Sequence, residues 1–485
     1  MSRGTDESGH IRGTEESNHR GTKALRARNK AILCVSVPLW LILFLCLVLS
    51  PCLSALSAPP PAVRIYDANP QHLWNRLHAA LFVRVGPDGR EYGGDRVDPL
   101  LWIGSKYLLK GPAHEYVVHL LREFVDTHAE RLIDDPLKRA LLQRDLWMVF
   151  DWLEGEHTNF LKPLLSTDEV RRGAEQLRSP LATIIGRLAL TREQIDGLPD
   201  NYAAAGHAVG MPADLFAPNG PWINVGRPDG PIARIHVNDL GPGKNSVFLV
   251  LIRLPGGREA TLRYLERLRA FNGRLWLDHP AMVQFLAPYP NPALPQFPVD
   301  TEVALVRRAL LIDSAGDIVP SKMTESIQHR VYHAIEAMTP QAFADAHRID
   351  PEMFARAGQD FEEFSLSRAA LLARRDGGLL PIASVERFFL TFMSQGFDEF
   401  EMQPAGPTRR IGADAADAKR VCKDCHGAPG VYSFNSYAPF RLMNGPNGAA
   451  APQLSELSIA DAQRTAVSWK QRRPEWLALK ELLTR

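Results

Sequence analysis

Cysteine is scarce in this chain. Five occur in 485 residues; Cys34, Cys46 and Cys52 lie in or beside one apolar run, which leaves only Cys422 and Cys425 in the body. That excludes a disulfide framework of the kind that staples small secreted domains. A surplus of either charge is also missing. The formal net charge is +1; residues 1–30 carry 7 Lys/Arg against 4 Asp/Glu, leaving 49 against 51 for the remainder. Nucleic-acid binding needs a concentrated basic surface, so a near-neutral body argues against it. No nucleophile elbow and no dinucleotide fingerprint occurs. The stretch D239-L-G-P-G-K-N-S246 lacks the first glycine of a phosphate-binding loop and has Asn245 where Ser or Thr should follow Lys244. Similarly, E154-G-E-H157 lacks the spacing of a helical H-E-x-x-H zinc site.

Hydrophobic residues at 45% and charged residues at 23% are ordinary for a chain that folds, and the length predicts two or three packed units. The N-terminus is different. R3-G-T-D-E-S-G-H10 is nearly repeated as R12-G-T-E-E-S-N-H19. Such polar, Gly-rich sequence cannot bury a core, so residues 1–30 read as a disordered cytoplasmic tail. Residues 31–49 are an uncharged run of 19, close to the length that crosses a bilayer core. Lys23, Arg26, Arg28 and Lys30 precede it, which predicts a cytoplasmic N-terminus and an exported body. Residues 31–57 are therefore expected to be a single transmembrane anchor. A signal segment cleaved after S54-A-L-S-A58, giving a secreted protein, is the alternative. L49-S-P-C52 is similar to a bacterial lipoprotein box, except that Pro51 stands where such boxes carry a small residue.

From about residue 70 to 210 the pattern is helical. Val117, Leu120, Leu121, Phe124 and Val125 recur at three- and four-residue spacing, as do the apolar residues of A140-L-L-Q-R-D-L-W-M-V-F-D-W152. I232-A-R-I-H-V237, S246-V-F-L-V-L-I-R-L254 and V303-A-L-V-R-R-A-L-L-I-D313 read as strands, the last ending in the turn S314-A-G-D317. Helices are predicted over Arg258 to Phe271, 322–338 and R473-P-E-W-L-A-L-K-E-L-L483, where Pro474 suits a first helical turn. The Pro-rich "APYPNPALPQFP", Ala287 to Pro298, reads as a connection. These elements predict an α+β protein, a mainly helical body with a small mixed sheet. Its body would divide into 59–290 and 299–410, followed by a region 411–485.

That last region holds V421-C-K-D-C-H-G-A-P-G430, with a helix predicted from Asp414 to Cys425. Two cysteines three apart on a helix face the same way and can form thioethers to the two vinyl groups of one porphyrin edge, and the adjacent His426 can ligate iron. Zinc and a redox disulfide are the alternatives for the same cysteines. Zinc lacks its usual second pair of ligands here. Over about residues 410–485 the sequence resembles the c-type cytochromes, through C422-K-D-C-H426 and the helix predicted before it. The resemblance implies a helical haem-binding region with one covalent haem c on Cys422 and Cys425 and with His426 as the proximal axial ligand. Such a domain usually supplies a distal methionine some forty or more residues on. The only later methionine is Met443, 17 residues beyond, which makes it the distal candidate.

Other constellations read as structural. In S326-I-Q-H-R-V-Y-H-A-I-E336 a helix would place His329 and His333 on one face near Glu325 and Glu336, as a surface face or a metal pair. His114 and His119 are five apart and poorly matched for one face. The expected function is thus electron transfer by a membrane-anchored, exported monohaem protein serving redox partners in the membrane or periplasm, with haem iron cycling between Fe(III) and Fe(II). The body of 59–410 is far larger than a carrier needs. A haem-dependent enzyme or sensor with an open distal site is therefore the alternative, and a zinc or disulfide interaction module a further one.

Overall fold

A computed structural model describes residues 63–85, 91–97, 108–155, 167–205, 211–227, 230–233, 237, 245–273, 276–277, 289–335, 358–383, 387–388, 416–417, 430–435 and 454–484. All of these described residues belong to one compact unit. The uncharged run 31–49, with the tail before it, lies outside the described residues; among those described, no helix is long and apolar enough to cross a membrane.

The centre of this unit corrects the expectation of a small mixed sheet on a mainly helical body. It is a seven-stranded sheet, antiparallel at every pairing. In chain order its strands are β1 (Ile223–Gly226), β2 (Ser246–Arg253), β3 (Thr301–Ile312), β4 (Ile318–Tyr332), β5 (Gln359–Leu366), β6 (Leu379–Pro381) and β7 (Ser455–Glu456). Across the sheet they run β6-β5-β4-β3-β2-β1-β7. The long β3–β4 hairpin turns where Asp313 Oδ1 accepts the N–H groups of Ala315 and Asp317 at 3.0 and 2.9 Å. Residues 322–332, within the stretch 322–338 expected to be helical, therefore lie in strand β4. Its period is two: Ser326, Gln328, Arg330 and Tyr332 alternate with Ile327, His329 and Val331, and β3 lies opposite. The expected strand from Ile232 to Val237 is also absent where it is described. Ala233 has φ 57° and Val237 is helical. Ala416 and Asp417 pair with Arg387 and Phe388 in a two-residue ribbon, not in the helix predicted from Asp414.

Both faces of the central strands are buried, so β2 reads as an almost unbroken apolar run. Val247, Leu249 and Leu251 belong to one hydrophobic cluster; Phe248, Val250 and Ile252 belong to another. The first face carries a helical layer made of α1 (Leu73–Phe82), α2 (Gly111–Asp126), α3 (Pro136–Gly155) and α4 (Asp168–Arg187). Helix α4 starts cleanly because Thr167 accepts from Val170 N and Asp168 and Glu169 sit in the first turn. It also crosses very close to the start of α2. A Cβ at Gly173 would lie 1.8 Å from the carbonyl oxygen of Leu109, so backbone alone fits there. The second face is covered by α5 (Gly257–Ala270), through Tyr264, Leu265 and Leu268, and by Leu294 and Phe297 of the Pro-rich connection.

The C-terminal helices α6 (Ile459–Gln471) and α7 (Pro474–Leu483) return to the first layer. Trp476 is buried, its ring 5.7 Å from that of Trp147 on α3. Beside them Lys470, wholly buried, donates from Nζ to Asp151 Oδ2 at 2.6 Å and Glu475 Oε1 at 3.4 Å, and Arg473 Nε reaches the same Glu475 oxygen at 3.2 Å. Two cations thus face two carboxylates. That balance is what a buried ionic group needs to offset the loss of hydration.

Candidate functional site

Cys422, Cys425, His426 and Met443 lie outside the described residues. The structure does describe the chain that follows the motif, from Gly430 to Asn435. Gly430 has φ 57°, a conformation that suits glycine, and a Cβ there would meet the Gln296 side chain at 2.3 Å. Val431 N donates to Gln296 Oε1 at 2.6 Å, and Ser433 Oγ lies 2.8 Å from Tyr332 Oη at the end of β4. Val431 and Phe434 are fully buried in the second-face cluster. Phe297 is the hub of this seat. Its ring lies edge-on to those of Tyr332, Tyr264 and Phe434, with centroids 5.0, 5.9 and 6.5 Å away. Burying a valine and a phenylalanine side chain is worth about 1.5–3 kcal/mol each, enough to fix this segment to the sheet. Burial pushes the Tyr264 hydroxyl far above the ordinary phenol range, so it stays protonated and donates to Pro295 O at 3.1 Å.

The histidine constellation expected on a helix falls on β4 instead. His329 hydrogen-bonds Glu302 Oε2 at 2.9 Å across the β3–β4 pair and sits edge-on to Trp222. Burial pushes the Glu302 carboxyl up, but His329 and Arg253 outweigh it and hold it below the usual range. His333 is exposed just beyond the strand, between Asp300 Oδ1 at 3.1 Å and Asp360 Oδ2 at 2.8 Å. Each ring nitrogen faces a carboxylate, so both donate only in the imidazolium form, and the Asp360 and Asp300 bonds raise the pKa. Glu325 joins neither histidine, and Glu336 lies outside the described residues. His114 is buried between Leu108 O and Gln176 Oε1, both at 2.8 Å, a structural role as expected; His119 is exposed, 3.7 Å from Glu123. Among the described residues no group of three or more His, Cys, Asp or Glu is arranged to hold a metal ion.

Glu325 belongs to a buried ionic cluster between α3 and the sheet that sequence reasoning missed. At the bulge in the β3–β4 hairpin, Arg307 opposes Ser326 and Arg308 opposes Thr324, which leaves Glu325 without an opposite residue. Its carboxylate takes Arg144 NH2 at 2.8 Å through Oε1 and Ser246 Oγ at 2.8 Å through Oε2, with Arg307 Nε 3.4 Å away. Burial raises the Glu325 pKa, but Arg144 and Arg307 together hold it below the usual range. Next along α3, Asp145 receives Arg368 in a two-pronged pair, Nε to Oδ2 at 2.7 Å and NH2 to Oδ1 at 2.5 Å. Burial opposes the charge on Arg368, yet the Asp145 pair pushes its pKa up. His78, buried nearby, is lowered to about 4 chiefly by burial and stays neutral. The sequence signal was charge inside apolar elements: Arg144-Asp145 in the middle of α3 and Arg307-Arg308 in the middle of β3.

No family model, no curated protein and no solved structure matches this chain.

Proposed function

We propose that the protein is an exported c-type haem protein that transfers electrons through one covalently bound haem c. The observation that carries the reading is the C422-x-x-C425-H426 motif in a body with no other cysteine. In this reading Cys422 and Cys425 hold the haem by thioethers, His426 is the proximal ligand and Met443 the distal candidate. The haem would supply a one-electron couple, and a methionine on its distal side would raise the potential. Export by way of residues 31–57, to the periplasmic side in a bacterium, agrees with it, because c-type haem is attached outside the cytoplasm; redox proteins of that compartment would be the partners.

The second reading, a haem enzyme or sensor with an open distal site, is favoured by one structural observation. The chain four residues beyond His426 is seated on the main sheet through Val431, Ser433 and Phe434. Covalent geometry keeps the His426 Cα within roughly 14 Å of the Gly430 Cα, so haem bound there stays close to a body much larger than a carrier requires.

Expression of the full chain with a cytochrome c maturation system tests both. The expected result is one haem that survives denaturation, lost in Cys422→Ala/Cys425→Ala. A low-spin spectrum indifferent to CO in wild type, becoming CO-reactive in Met443→Ala, identifies the carrier; CO binding by the wild type identifies the open site. Stoichiometric zinc without iron would overturn both.

A further inference from the structure

At the hairpin end of β4 the surface carries a groove of about 640 Å³, within the size range of small-molecule sites. Helix α6 forms one wall. Ala460, Gln463, Arg464, Val467, Ser468 and Gln471 recur at three- and four-residue spacing, so a single face of α6 borders the groove over about 16 Å at the helical rise. The other walls are the start of β4, from Ile318 to Lys322, and the short helix Arg192–Asp196. Ile195 and Ile318 are buried at its floor, with Val467 and Pro320 half-buried beside them. An alkyl chain gains from covering such a strip in proportion to the apolar area it removes from water.

Each wall also brings charge. On α6, Arg464 pairs with Asp461, whose carboxylate is held as well by Ser458 Oγ at 2.5 Å at the start of the helix. On the short helix, Arg192 faces Asp196 at 3.9 Å. On β4, Lys322 is exposed and makes no ion pair or hydrogen bond among the described residues. Two cations are thus matched by two carboxylates, and Lys322 is the third cation, unmatched. Exposed pairs such as Arg464–Asp461 are weak, and Arg464 gives only one nitrogen to Asp461, so its fork can turn to a ligand held by Lys322.

We propose that this groove binds a linear amphiphile with a single carboxylate head, of the fatty-acid class. The alkyl chain would lie along α6 over Ile195, Ile318 and Val467, and the carboxylate would meet Lys322 and Arg464. One negative charge completes the balance of the three walls. The 15-residue strand β4 runs from Ile318 at the groove to Tyr332 at the Gly430–Asn435 seat, a separation of roughly 45 Å, and the inference is independent of the haem reading.

The test is a calorimetric titration of the purified full chain with decanoate below its micelle concentration. Butyrate supplies the head without the chain, and decanol the chain without the charge. Ser468→Trp fills the groove from an exposed helix position, and Lys322→Gln removes the unmatched charge; unliganded melting curves check that both variants fold as the wild type does. Wild type should bind one decanoate per chain that Ser468→Trp does not bind, and the apolar run 31–49, present in both, cancels from that difference. Lys322→Gln should weaken the midpoint at least fivefold, and Lys322→Arg should restore it to within about twofold. Butyrate and decanol should each bind at least tenfold more weakly than decanoate. Decanoate binding unchanged in Ser468→Trp and Lys322→Gln, or butyrate or decanol binding as tightly as decanoate, would overturn the proposal.

Discussion

Helix α3 carries two buried ionic groups that tie it to different parts of the fold. Near its C-terminal end Asp151 and Glu475 meet Lys470 and Arg473, two against two. Near its middle Arg144 pairs with Glu325 of β4, which Arg307 of β3 also approaches, and Asp145 pairs with Arg368 beside a small cavity. The first arrangement is self-sufficient and joins the C-terminal helices to the rest. The second holds the same helix to the β3–β4 hairpin and to the short helix Arg368–Leu372. In both, buried cations meet buried carboxylates, which offsets the loss of hydration.

The contrast can be broken from either side. Lys470→Met removes the Nζ bonds to Asp151 and Glu475, of which Glu475 keeps Arg473, and should cost about 3–5 kcal/mol of stability in chemical denaturation. Glu325→Gln should cost about 3 kcal/mol in the same measurement, since it takes away the carboxylate that Arg144 pairs with and Arg307 approaches. The same carboxyl sets a pH dependence. Its folded pKa lies below its ordinary value of 4.5, so its contribution is present above about pH 4.5 and is lost as pH falls through the folded value. Tyr332→Phe removes the bond to Ser433 and should cost about 1 kcal/mol. It should also shift the reduced-minus-oxidised spectrum of haem-loaded protein if the Gly430–Asn435 seat positions the motif.

His333 gives the smallest effect. Because its folded pKa is raised above 6.5, its ion pairs stabilise fully below pH 6.5 and fade as pH rises through the folded value. An NMR titration should show that midpoint moving down in Asp360→Asn and, by less, in Asp300→Asn.

The elements with one clear period were legible in the sequence. Helix α2 follows its Val117, Leu120, Leu121 and Phe124 stripe, β2 and β3 follow their apolar runs, and α7 starts at Pro474 as expected. Strand β4 was not legible because His329 and His333, four apart, fit a helical face as well as a strand, and only the pairing with β3 decides between them. The helical layer also hid the extent of the sheet. β6 and β7 have three and two residues, too short to register as a period, yet they widen it to seven strands. At the arginine cavity the charges come from residues 96, 144, 307, 325 and 368, which no local pattern could associate. The C422-x-x-C425-H426 motif, proposed to bind haem, is the reverse case, with its residues contiguous in sequence.

Strand β7 has a consequence for the order of events during synthesis. Ser455 and Glu456 close the edge of β1, where Asn224 and Leu457 exchange two further hydrogen bonds at 2.9 and 3.0 Å. A ribosome adding about 5–20 residues per second needs on the order of ten seconds or more to travel from β1 to its edge partner. Until then β1 presents an unpaired strand edge, open to other chains. Residues 422–426 precede that closing strand, so Cys422 and Cys425 leave the ribosome while the edge of β1 is still open.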